Sequence, residues 1–158
     1  MTIHHHSAAI AAMAMICAGA AWAQDPPSPA ETPATAEWWV FSRAATKHYL
    51  IDVRSVARTG DELTVMVARV PTDTPAGDYT HTIDQFGIRC SGRQSHVVTS
   101  SDAFEDGVPE EAYDTEEPWE SIAPDSFDDA VREISCNDMR PQPPSYASVK
   151  AYIDAGRP

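Results

Sequence analysis

The sequence predicts an α+β fold: an antiparallel β-meander sheet with a C-terminal helix packed on it and linked to it by a disulfide. Three observations carry this. Stretches rich in β-branched and aromatic residues follow one another with short connections, which suits antiparallel pairing and leaves no room for βαβ crossovers. One run near the C-terminus repeats its apolar residues at helical spacing behind a capping sequence. Finally, two cysteines, Cys90 and Cys136, fall at the ends of a predicted strand and of that helix.

Which cysteines can pair depends on the N-terminus. Residues 1–23 contain no Asp, Glu, Lys or Arg, and 8–20 are almost wholly Ala, Met, Ile and Cys. Ala21-Trp22-Ala23 then puts small residues at the two positions that signal peptidase must accept. The apolar run is shorter than the ~20 residues of a membrane-spanning helix. A cleavable signal peptide over 1–23 is therefore expected, with a mature chain starting at Gln24 in the periplasm or secreted. Its removal discards the tract His4-His5-His6 and Cys17, which would otherwise suggest metal or lipid chemistry. Ile16 is bulky where a lipid-anchoring signal needs a small residue before its cysteine. Of three cysteines, Cys90 and Cys136 remain, and an even pair in an oxidising compartment reads as a disulfide. Neither has a further Cys or His at metal-ligand spacing.

Residues 24–36 are rich in Pro, Ala and Thr without periodicity and read as a disordered tether. The domain proper is expected over 37–138. Trp38-Trp39-Val40-Phe41 suits a strand, and its adjacent tryptophans point to opposite faces, one of them into a core. Residues 48–53 form a second strand, with Tyr49, Ile51 and Val53 on one face and Leu50 and Asp52 on the other. Ser55-Val56-Ala57-Arg58 reads as a turn and Gly60-Asp61 as a tight reversal. Residues 62–70 alternate most clearly, Leu63, Val65, Val67 and Arg69 against Thr64, Met66, Ala68 and Val70, and Pro71 ends the strand. After a loop over 71–78, residues 79–90 change parity between Ile83 and Phe86, which predicts a β-bulge near Asp84-Gln85 or Gly87. Ser91-Gly92 turns the chain into a strand over 94–100.

Residues 101–117 have few apolar anchors and read as a long loop, after which Trp119 and Ile122 dock. Asp125-Ser126 with Asp128-Asp129 is a helix start, because carboxylates there meet unpaired N–H groups and the positive end of the dipole. Phe127, Ala130, Val131, Ile134 and Ser135 form the stripe that faces the sheet. Residues 139–158 read as a Pro-rich tail with a short helix in it, carrying Tyr146, Val149 and Ile153 on one face.

The net charge of the 158-residue chain is −13, and it is concentrated. Residues 102–138 hold 14 carboxylates against the single base Arg132, while the flanking segments nearly cancel. An acidic lobe on a neutral body disfavours nucleic acid or anionic lipid as a partner, since phosphates need Lys and Arg. Its residues Asp102, Glu105, Asp106, Glu110, Glu111, Asp114, Glu116 and Glu117 are the candidate surface for a basic protein partner; a merely solvated loop is the plainer reading.

Signatures of catalysis are missing. There is no Gly-x-Ser-x-Gly, His-Glu-x-x-His, Gly-rich phosphate loop or Cys-x-x-Cys, and no cofactor or catalytic residue is expected. His81 and His96 would come together if paired across the Ser91-Gly92 turn, which would permit a metal site or a small hydrolase; two separate strand histidines is the plainer reading. Asp102-x-x-Glu105-Asp106-Gly107 misses the ligand spacing of a calcium loop.

The order of features Glu37-Trp38-Trp39-Val40, Tyr49-Leu50-Ile51-Asp52, Ser55-Val56-x-Arg58-x-Gly60, Val65-x-Val67, Ile88-x-Cys90, and Pro118-Trp119 leading to Cys136 resembles the surface-adhesin protein E family of Gram-negative bacteria. The resemblance implies an antiparallel sheet tied to a C-terminal helix by Cys90–Cys136. It also implies a non-enzymatic module, in the periplasm or on the outer cell surface, that contacts host matrix, serum or envelope proteins and can form a homodimer. A structural envelope protein is the alternative. No binding residue carries over from the resemblance, because the matching positions are core and turn residues.

Overall fold

A computed structural model describes residues 35–158. The leader, its histidine tract, Cys17 and nearly all of the expected tether lie outside the described residues. Strands β1 (Trp38–Arg43), β2 (Lys47–Thr59), β3 (Glu62–Pro71), β4 (His81–Arg89) and β5 (Gln94–Ala103) form an antiparallel meander in chain order. Two-residue strands extend its edges. β6 (Tyr113–Asp114) and β7 (Glu120–Ser121) both pair with β5, and β8 (Ser145–Tyr146) pairs with β1. Helices α1 (Phe127–Cys136) and α2 (Val149–Asp154) complete the fold, and Cys90–Cys136 is a disulfide.

The sheet buries both faces. On one, Ile51, Leu63, Val65, Val67, Phe86 and Ile88 pack with Val131 and Ile134 of α1 and with Ile122. On the other, Trp38, Val40, Leu50, Ala68 and Val70 pack with Val149, Tyr152 and Ile153 of α2. This explains the parity change in β4. No bulge reverses that strand, which pairs with β3 in unbroken register from Arg89 to Thr82. Ile83 and Phe86 point to opposite faces, and each face has its own core. The irregularity at Gln85/Phe86 lies in the pairing with β5, where Val98 is the extra residue between the partners Val97 and Thr99.

Two other expectations change. Ser55-Val56-Ala57-Arg58 is not a turn but a bulged stretch within β2, between Asp52 and Ala57. The Ser55 hydroxyl donates to the Asp52 carbonyl at 2.7 Å and accepts from the Met66 N–H at 2.8 Å, standing in for the missing ladder bonds. The strand therefore continues instead of reversing. The short helix expected within residues 139–158 forms as α2, with Val149 and Ile153 buried on one face. Tyr146 belongs to β8 instead, and the segment is more than a tail, since β8 extends the sheet and α2 packs into the second core.

Helix α1 starts as its sequence dictates. The Ser126 hydroxyl accepts from the Asp129 N–H at 3.1 Å, filling one of the orphan donors of the first turn. The Asp129 carboxyl is held below its usual range, first by the Asp125 N–H and then by Arg132 and Arg93. Ser95 of β5 donates to Asp128 at 2.6 Å, and Arg93, in the turn before β5, pairs with Asp129 at 3.0 Å. The β4–β5 turn and the start of β5 thus grip the N-terminus of the helix while the disulfide holds its other end.

Candidate functional site

A cleft of about 710 Å³ opens on the α1 face, between the start of α1 and the β6 edge. Its aromatic wall is Tyr49, Phe86 and Phe127; the Phe127 ring lies 4.8 Å from that of Tyr49 and 5.9 Å from that of Phe86. Arg69 and Asp84 also line it. These two charges sit on neighbouring strands at positions that alternation assigns to the core face, and they meet diagonally across the β3–β4 ladder. Arg69 Nη2 donates to Asp84 Oδ1 at 2.8 Å, with Nε 2.6 Å from Oδ2 but off the line of a hydrogen bond. Ser100 donates to the same Oδ1 at 2.8 Å. Asp84 is thus buried with its charge matched, while Arg69 stays partly exposed.

The opposite rim comes from the acidic segment, and the structure ties that segment down. Asp102 belongs to β5, accepting from the Thr82 hydroxyl at 2.8 Å, so it is not a loop residue. Glu105 and Asp106 stand at a turn closed by Gly107, whose N–H donates to the Phe104 carbonyl at 2.8 Å. Gly107 has a positive φ of 74°, and a Cβ there would lie 2.7 Å from Tyr79 Cβ, so this turn requires glycine. Glu110 donates its N–H to the Asp102 carbonyl at 2.8 Å, and Ala103 bridges to Pro109. Asp114 is in β6; Glu116 follows with a positive φ of 54°, and Glu117 accepts from the Val97 N–H at 3.2 Å. Only Asp114 and Glu117 of the eight predicted carboxylates line the cleft. Glu105, Asp106 and Glu110 flank a second depression with Phe104, Val108 and Pro109, and Glu111 and Glu116 are exposed and line neither.

The histidines do not meet. His81 pairs with Ala103 and His96 with Gly87, several residues apart along the β4–β5 ladder. His81 is buried, its Nδ1 2.7 Å from the Tyr79 carbonyl. His96 stacks on Trp119 with ring centroids 3.9 Å apart, and the Arg89 guanidinium lies 3.9 Å from the same indole. No group of three potential metal ligands forms among the described residues. The stack depends on the glycine opposite, because a Cβ on Gly87 would lie 2.6 Å from His96 Nε2 and 3.2 Å from Trp119. Gly87→Ala is expected to push the half-exposed His96 ring off Trp119 at a cost of no more than about 1 kcal/mol, read as a small drop in the denaturation midpoint.

Sequence reasoning missed Tyr49, Arg69, Asp84, Phe86 and Phe127 as a group. The available signal was a charge at a core-parity position on each of two adjacent strands. Of the two tryptophans, Trp38 is the core residue; Trp39 is half-buried and donates from its indole to Glu37 at 3.1 Å.

Fold and site together define a disulfide-stapled α+β sheet domain with an aromatic-walled cleft under an acidic edge. The family model described as Surface-adhesin protein E matches residues 38–137. The chain belongs to the surface-adhesin protein E family, which implies an adhesin-like role and an exported or surface location. No curated protein and no solved structure matches the chain. No helix among the described residues is long and apolar enough to cross a membrane.

Proposed function

We propose that this chain is an exported, non-enzymatic binding module whose acidic lobe docks a basic segment of a host or envelope protein. The observation that carries the reading is the mixture of side chains on the lobe. Phe104, Val108 and Tyr113 are 57%, 63% and 53% exposed, and carboxylates surround them. A solvated loop needs the acids but gains nothing from three large apolar groups held in water. A contact surface uses both, the apolar groups as anchors and the acids for steering and register. The hydrogen bonds that tie the lobe to β5 and the Gly107–Tyr79 contact support this, because preorganisation lowers the ordering cost of binding.

The test is a panel of immobilised matrix, serum and envelope proteins probed with the wild type. Two variants accompany it, Glu105→Gln/Asp106→Asn/Glu110→Gln and Phe104→Ser/Val108→Ser. Each variant is expected to weaken binding about tenfold. Wild-type binding should fall steeply as salt shortens the screening length from about 8 Å at 0.15 M to about 3 Å at 1 M. Affinity unchanged by neutralising the lobe would overturn the proposal.

A further inference from the structure

The cleft beside the lobe has a composition of its own. Its one base, Arg69, is already paired with Asp84, Nη2 by a hydrogen bond and Nε by proximity of charge alone. Net of that pair, the remaining charges are the carboxylates of Asp114 and Glu117, both on the exposed rim. The wall facing them is the ring cluster of Tyr49, Phe86 and Phe127. An anionic ligand would meet two carboxylates and no free cation, so this arrangement rejects it. A purely apolar ligand would strip water from the rim acids without replacing their hydrogen bonds. A cation on an aliphatic stem satisfies both sides, its methylenes against the rings and its head between the π faces and the carboxylates.

We infer that the cleft is the receptor for a single lysine or arginine side chain projected by the protein partner, with Asp114 and Glu117 receiving its charge. This rests on the reading of the lobe as the contact surface for a basic segment. It adds where the segment's anchoring residue goes. At about 710 Å³ the cleft has room for that side chain together with part of its own backbone. The Ser100 hydroxyl and Arg69 fix the Asp84 carboxylate in place, so this part of the lining is built before the ligand arrives.

The experiment titrates the purified protein with Nα-acetyl-arginine amide and Nα-acetyl-lysine amide, with Nα-acetyl-glutamine amide as the uncharged control. The readout is the NMR resonances of the Tyr49, Phe86 and Phe127 rings. Saturable shifts are expected with the two cations and not with the glutamine amide. Asp114→Asn/Glu117→Gln should weaken the cation titration at least about threefold, while Glu105→Gln/Asp106→Asn at the lobe turn leaves it unchanged. Asp114→Asn alone guards against loss of the Glu117 contact to Val97 as the cause. Equal shifts with the glutamine amide, no ring shifts with either cation, or undiminished affinity in Asp114→Asn would each overturn the inference. The two ideas fail separately. Lobe variants that lose partner binding while the rings ignore the cations leave the lobe standing and the cleft refuted. Cations that titrate the rings while the lobe variants keep full partner binding show the reverse.

Discussion

Replacing Cys90 and Cys136 together by serine is expected to lower stability by about 4 kcal/mol, because the disulfide closes a loop with a sequence separation of 46. That is a large share of the ~5–15 kcal/mol that a domain of this size holds. The native geometry amplifies the effect. Helix α1 has ten residues, too few to be stable alone, and relies on Val131 and Ile134 lying against the sheet. Its N-terminus is held by Ser95 of β5 and by Arg93 in the turn just before it, and its C-terminus by the disulfide to the residue just after β4. Both cysteines must be changed together, since one free thiol would add intermolecular cross-linking to the measurement. Chemical denaturation of the double variant against the oxidised wild type reads the difference directly. A midpoint shift under ~1 kcal/mol would mean that the reduced chain already keeps the helix docked, contrary to the loop-entropy argument.

What the sequence made legible is what local patterns encode. β1 to β5, the Ser126 cap, the stripe on α1 and the pairing of the cysteines all follow from alternation, helical spacing or counting. What it hid depends on neighbours distant in sequence. Ser55 looks like a turn residue until the Met66 N–H on the next strand is placed beside it. The parity change at Ile83 and Phe86 looks like a bulge only if one face of the sheet is assumed to be wet. β6, β7 and β8 are two residues each, too short to show any period. The acidic segment reads as unanchored because its anchors are backbone bonds to β5 and one glycine beside Tyr79. The cleft was hidden for the same reason. Arg69 and Asp84 become partners only once the β3–β4 register is set, and Phe127, correctly placed on the inner face of α1, also serves as a wall.

Tyr152→Ala is expected to cost about 3–5 kcal/mol, although residue 152 lies beyond the 38–137 segment that matches the family. Tyr152 is fully buried, the largest side chain to be so among the described residues. Its ring stands edge-on to Tyr146 of β8 with centroids 5.1 Å apart, and its hydroxyl bonds the His48 imidazole. Burial, and then the nearby Arg43, hold that imidazole below its ordinary value of 6.5, so at neutral pH it is an uncharged partner for the phenol. Tyr152→Phe keeps the ring and leaves one His48 nitrogen unpaired, so its cost should fall to about 1 kcal/mol. The contrast between the two variants separates packing from hydrogen bonding. A chain ended at Asp138 would lose β8 and α2 entirely. It would expose Trp38, Val40, Leu50, Ala68 and Val70 together, an apolar sheet face with nothing left to cover it. Each fully buried large side chain on that face is worth ~1.5–3 kcal/mol, so the truncated chain should lose cooperative unfolding or aggregate. If it instead unfolds at the full-length midpoint, α2 is an ornament on a one-sided sheet. If it does not, the folding unit of this chain is the sheet with both of its helices, and the segment shared with the family is only part of it.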